Sequence, residues 1–124
     1  MSKTNKSWGG DTSFYRTKEW ISIRDSKRED EPLCSACISV GVVEVGRFID
    51  HILNMKLFPE YSTEPLNLQN LCFRDHQQKT ALERQFKTRE SYLKAFEDGK
   101  LQYICSKEAK ENLLELITKN GYRN

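Results

Sequence analysis

Three spaced cysteines constrain the fold of this chain more than any other feature of its sequence. Cys34 and Cys37 form a Cys-x2-Cys pair, and Cys72 follows much later. A Cys-x2-Cys turn lets two thiolates meet one Zn²⁺ without backbone strain, and ligands from distant sequence then close the tetrahedron. Three residues after Cys72 stands Asp75 rather than a fourth cysteine. A carboxylate can ligate zinc, so Cys34, Cys37, Cys72 and Asp75 are one candidate set, and Cys105 is another source of the fourth ligand. Two plainer readings compete. Asp75 suits a helix N-cap, with Asp75-x2-Gln78 as a variant capping box, and the cysteines suit an apolar interior.

The redox setting bears on that choice. The first residues are polar and lack an apolar h-region, so no secretory signal is expected. The apolar stretches fall far short of the ~18 residues a membrane span needs. A cytoplasmic location with reduced cysteines is therefore expected, which favours metal or chemistry over disulfides. With 124 residues, 37% of them hydrophobic, the chain has material for one domain with a modest core.

Charge is informative in its distribution. Residues 1–28 carry net +4, residues 29–72 net −5 and residues 73–94 net +3, while the remainder balances. Basic flanks suit a polyanion such as DNA, and acidic groups between them suit a divalent cation. Ordinary surface charge is the plain alternative.

Residues 1–12 read as a flexible basic arm broken at Gly9-Gly10. Phe14, Trp20, Ile21 and Ile23 give a helical stripe, which predicts a helix over 17–28 that ends before Pro32. Val42 to His51 is rich in β-branched and aromatic residues and reads as a strand, or two strands broken at Gly46. Residues 52–66 hold two prolines and little periodicity, a long loop of the kind that is more often functional than incidental. A short strand over 67–72 and helices over 74–87, 91–97 and 106–120 complete the chain, with Ser106 as N-cap and Leu113, Leu116 and Ile117 as the apolar face of the last.

Only two histidines occur, and each follows an aspartate: Asp50-His51 at a predicted strand end and Asp75-His76 at a predicted helix start. A carboxylate and an imidazole from separate elements make half a shell for a divalent metal. The other imidazole then stays free as a base. A lone histidine is usually a surface or satisfied core residue; two histidines framed by the cysteines argue against that.

The runs FYRTKEWISIR, CSAC, FIDHI, NLQNLCFRDHQQKT and ALE together resemble the HNH endonuclease family, of the kind common in bacteriophages, over about residues 13–84. The resemblance implies an α+β chain: a ββα-metal (His-Me finger) core over 13–90, with an N-terminal helix and a helical C-terminal extension over 91–124. The family's first histidine falls on His51, its asparagine on Asn67, with Asn70 as the alternative, and its last histidine on His76. By resemblance, Asp50 and His76 ligate Mg²⁺, Mn²⁺ or Ni²⁺, His51 activates water against a DNA phosphodiester, and Asn67 holds the loop that fixes His51. Zn²⁺ is the structural ion expected in the cysteine frame. Where the chain has Asp75, zinc-framed members usually carry cysteine.

Arg74, Lys79, Arg84 and Lys87 supply positive charge for DNA, with Lys79 on the face of His76. A protein partner giving specificity, such as a phage packaging enzyme, and a monomer or weak dimer without membrane attachment fit this reading. The competing readings are a non-catalytic zinc-ribbon-like module that binds nucleic acid or protein, and a redox protein using Cys34-x2-Cys37. The second is disfavoured because its Cys-x2-Cys is not expected to open a helix after a strand.

Overall fold

Thr17 opens the first helix of the computed structural model, which describes residues 12–101 and 107–121. The expected basic arm, apart from Thr12, lies outside the described residues, as do Cys105 and the expected cap Ser106. Thr17 is extended (φ −71°, ψ 150°), and its hydroxyl accepts from Trp20 N at 3.1 Å, which satisfies an orphan donor of helix α1, Lys18–Asp30. Trp20 is the buried residue of α1, whereas Ile21 is exposed and Ile23 half-buried, so one aromatic side chain anchors the helix.

Leu33 bridges antiparallel to Val45 and closes a loop that carries the short helix α2, Ser35–Ser39. Gly41, at φ 82°, turns the chain back, a conformation that costs glycine nothing. The extended segment that follows is indeed interrupted at Gly46, between the bridge at Val45 and strand β1, Phe48–His51. A Cβ on Gly46 would stand 2.2 Å from the Asn70 side chain, so only glycine admits this approach.

β1 pairs antiparallel with β2, Leu68–Leu71, in the register Phe48↔Leu71, Ile49↔Asn70, Asp50↔Gln69 and His51↔Leu68. All four residues of β2 are buried. Helix α3, Phe73–Glu83, begins directly after Cys72. Two antiparallel strands followed by a helix give the expected α+β, ββα arrangement. Cys72, not Asp75, occupies the N-cap of α3, so the Asp75 capping box does not form.

The main apolar core lies beside this unit. Ile52, Leu53, Phe58 and Tyr61 of the long loop pack with Tyr92, Leu93, Ala95 and Phe96 of α4, Arg89–Glu97, with Leu101, and with Leu113 and Ile117 of α5, Lys107–Lys119. The loop therefore turns inward, through short 3-10 turns at Pro59–Tyr61 and Pro65–Asn67. α3 stops at Glu83, short of the expected residue 87. α4 starts at Arg89, because Thr88 and Ser91 form a reciprocal capping box ahead of it.

Candidate active site

α2, β2 and α3 bring the cysteines together. Cys34, Cys37, Cys72 and Asp75 are buried, and their ligand atoms lie within 4.8 Å of one another. Asp75 Oδ2 is 3.2 Å from Cys34 Sγ, 3.2 Å from Cys37 Sγ and 3.4 Å from Cys72 Sγ, with 3.9 Å between Cys37 Sγ and Cys72 Sγ. Around a tetrahedral zinc, sulfurs stand about 3.8 Å apart and sulfur and oxygen about 3.5 Å apart. The four side chains thus have the spacing of a closed metal site, and the cluster can bind a metal.

Burial pushes the thiols of Cys34 and Cys37 above their usual range, with the Asp75 carboxylate adding to it. Burial also raises the Asp75 carboxyl, but hydrogen bonds from the three thiols and the nearby Arg74 guanidinium outweigh it and hold that carboxyl below its ordinary value. Cys34 stands at the start of the short helix α2, but the element before α2 is α1 and not a strand, as expected. Raised thiols are also the opposite of what a redox cysteine needs.

A cleft of about 530 Å³ is lined by Asp50, His51, His76, Arg84 and Lys87 among others. Asp50 and His51 end β1, and His76 lies in the first turn of α3. Asp50 Oδ1 is 3.8 Å from His76 Nε2. A cation about 2.1 Å from each of two donors spans them at about 3.0 Å when they are cis and about 4.2 Å when trans, so this pair fits one divalent ion.

His51 Nε2 lies 2.9 Å from the Ser62 carbonyl oxygen. A carbonyl only accepts, so Nε2 carries the proton and Nδ1 keeps its lone pair. Burial lowers the His51 pKa, against the Ser62 hydrogen bond and the Asp50 charge, which favours the neutral ring. Each imidazole also rests on an aromatic ring: His51 on Trp20 (centroids 5.2 Å apart, 23° between planes) and His76 on Phe48 (4.6 Å, 14°).

Asn67, fully buried, ties the loop together. Its Oδ1 accepts from Leu53 N at 2.7 Å, and its Nδ2 donates to Leu53 O and to Tyr61 O, each at 3.1 Å. Asn70 instead donates to Glu31 O at 3.0 Å and pins the end of α1 to β2.

The cationic residues divide. Arg84 and Lys87 are exposed on the cleft with the two histidines. Arg74, with a side chain 65% exposed, sits beside the cysteine cluster, 3.5 Å from Cys37 Sγ. Lys79 departs from expectation: it is 1% exposed and cannot meet a phosphate. Its Nζ donates to His51 O at 2.7 Å, to Asp50 Oδ2 at 3.0 Å and to Glu83 Oε2. Asp50 and Glu83 raise its pKa against the effect of burial, whereas burial pushes Glu83 up despite the pull of Lys79.

Phe48, Gln69, Glu83 and Tyr92 surround the site without having stood out in the sequence, and Trp20 stood out only as part of a helical stripe. The Lys79–Glu83 pair was legible as an i,i+4 spacing; nothing in the sequence paired either ring with a histidine.

The fold and the site define an HNH-like α+β protein with a ββα unit. No protein-family model and no curated protein matches the chain. A solved structure does: the HNH endonuclease of the deep-sea thermophilic bacteriophage GVE2, crystallised with manganese ion, at 28% identity and a TM-score of 0.57, covering 59% of this chain and 80% of that one. The resemblance to HNH endonucleases thus holds in three dimensions as well as in sequence. Among the described residues, no helix is long and apolar enough to cross a membrane.

Proposed function

We propose that this chain is a metal-dependent DNA endonuclease. The observation that carries the proposal is the convergence of Asp50, His51 and His76 on one cleft of a ββα unit. His51, with Nε2–H given to Ser62 O, presents Nδ1 as the general base for a water attacking phosphorus. Asn67 is a positioning residue: it ties Leu53 to Tyr61, the residue directly before the His51 partner Ser62. Asp50 Oδ1 and His76 Nε2 would hold one Mg²⁺, Mn²⁺ or Ni²⁺. That cation, when bound, supplies Lewis-acid stabilisation of the charge developing on the phosphoryl group and the leaving 3′-oxygen.

Cys34, Cys37, Cys72 and Asp75 would hold a structural zinc that joins α2 to α3. Arg84 and Lys87 beside the cleft, and Arg74 farther off, would meet phosphates. Such contacts position DNA without reading its sequence, so specificity would come from elsewhere, a partner protein included.

The test is nicking of supercoiled plasmid with each of the three ions and with chelator. Cleavage should require the ion and fall by about 10²-fold or more in His51→Ala. Equal cleavage by the parent and His51→Ala refutes the assignment of the base.

A further inference from the structure

Lys79 is an expensive residue to bury, and the endonuclease reading gives it no task on DNA. A buried ammonium persists only where every N–H is met and its charge is compensated. Here three donors meet three acceptors: the His51 carbonyl oxygen at 2.7 Å, Asp50 Oδ2 at 3.0 Å, and Glu83 Oε2. Two of these acceptors belong to consecutive residues of β1, the ones that bring a ligand and the base to the cleft.

We propose that Lys79 is a positioning residue of the cation site: it clamps Asp50 and His51 of β1 onto α3, so that Asp50 offers only Oδ1, aimed at His76, to a divalent cation. Asp50 divides its oxygens. Oδ2 is taken by Lys79 at 3.0 Å and Gln69 Nε2 at 3.3 Å, while Oδ1 faces His76 Nε2 at 3.8 Å. Asp50 would therefore have one oxygen, Oδ1, to offer a cation. His76 and Lys79 leave the same face of α3, one turn apart, so one helix sets both the second ligand and the clamp on the first.

Glu83 has a distinct part in the arrangement. Lys79 alone would cancel the charge of Asp50 and repel an arriving cation. Glu83 compensates the ammonium, leaving Asp50 with its negative charge for the metal. Tyr92 of α4 holds Glu83 in turn, with its hydroxyl 2.8 Å from Oε2.

The proposal rests on the cation site of the endonuclease reading, and its test separates the two. Mn²⁺ is titrated calorimetrically into the full chain, and plasmid nicking is resolved into kcat and KM. Lys79→Met combined with Glu83→Gln removes one charge of each sign, so a change in affinity reports geometry rather than net charge. Mn²⁺ affinity should fall by about tenfold or more, with kcat lowered and KM for DNA unchanged. Glu83→Gln alone keeps the shape and an acceptor for Lys79 but leaves Asp50 alone to compensate the ammonium, and should weaken Mn²⁺ by about tenfold.

A folded double variant that is merely less stable but binds Mn²⁺ like the parent overturns the proposal. If the double variant does not fold, Glu83→Gln decides, and parent-like affinity overturns it. A parent chain that takes up no Mn²⁺ overturns the endonuclease reading and this inference with it.

Discussion

Asn67→Asp is nearly isosteric, yet it should separate the loop from the site it supports. The parent side chain is fully buried, with one acceptor used by Leu53 N and two donors used by Leu53 O and Tyr61 O. A carboxylate keeps the acceptor and loses both donors, which places negative oxygen against two carbonyls. Each buried polar group left without a partner costs about 1–3 kcal/mol, so the variant should lose about 2–5 kcal/mol. Protonation relieves part of this, because the acid form regains one O–H donor.

The folded-state pKa of the new carboxyl is thus raised above its unfolded value. The penalty is smallest below the unfolded carboxyl range, near about pH 4, and grows as pH rises through the folded value. Urea midpoints at about pH 5 and about pH 8 should therefore diverge in the variant much more than in the parent. Nicking should fall by more than the unfolded fraction explains, because Ser62, the partner of His51, follows Tyr61 directly in the chain. Parent-like midpoints and rates at both pH values would refute the role given to Asn67.

The purified chain should carry zinc, and stripping it with chelator should remove about 2.7 kcal/mol if the ion stood a hundredfold above its dissociation constant, or roughly 10 °C in Tm. Asp75→Cys should hold that zinc against chelator longer and Asp75→Ala more briefly, read by metal content; an unchanged melt with no zinc found would reject the site. Gly46→Ala should cost about 1–3 kcal/mol in urea melts, since the added Cβ meets the buried Asn70 side chain at 2.2 Å. Removing that side chain in the same molecule should recover part of the loss. Arg89 holds Glu60 through Nη1–Oε1 at 3.0 Å and Nη2–Oε2 at 2.5 Å, and this hydrogen bonding keeps the Glu60 pKa below its ordinary value. That tie between loop and α4 is present above the unfolded carboxyl range and is lost as pH falls through the folded value. Limited proteolysis of the loop should accelerate there in the parent but not in Glu60→Gln.

Much of the ββα unit was legible because its signals are local. Pro32 as a stop, Gly46 as a break and the Asn67–Cys72 run each act through backbone preferences that a short stretch of sequence carries. The grouping of Cys34, Cys37, Cys72 and Asp75 followed from ligand spacing. Lys79 was misplaced for a physical reason: exposure is a tertiary property, and an i+3 offset from His76 gives the same sequence whether that face meets solvent or β1. Likewise, the loop over 52–66 carried no signal of burial, because it lacks a periodicity that would mark an inward face. Its Ile52, Leu53, Phe58 and Tyr61 are nevertheless core. α2 went unread because a single turn leaves no periodicity to detect.

The ββα unit contributes Asp50, His51 and His76 to the cleft but little of their rigidity. The ring under His51 comes from α1 and the acceptor for its Nε2–H from the long loop. The counter-ion of the Lys79 ammonium is braced by Tyr92 of α4, whose hydroxyl also lies 2.5 Å from Ile52 O, directly after His51. β1 has four residues and pairs with a single neighbour, which is marginal as an isolated hairpin in water. The apolar area that makes the unit stable lies instead among the loop, α4 and α5. The C-terminal helices are therefore not an appendage to the site. They pack against Phe58 and Tyr61 of the loop, and Tyr61 directly precedes Ser62, whose carbonyl accepts from His51.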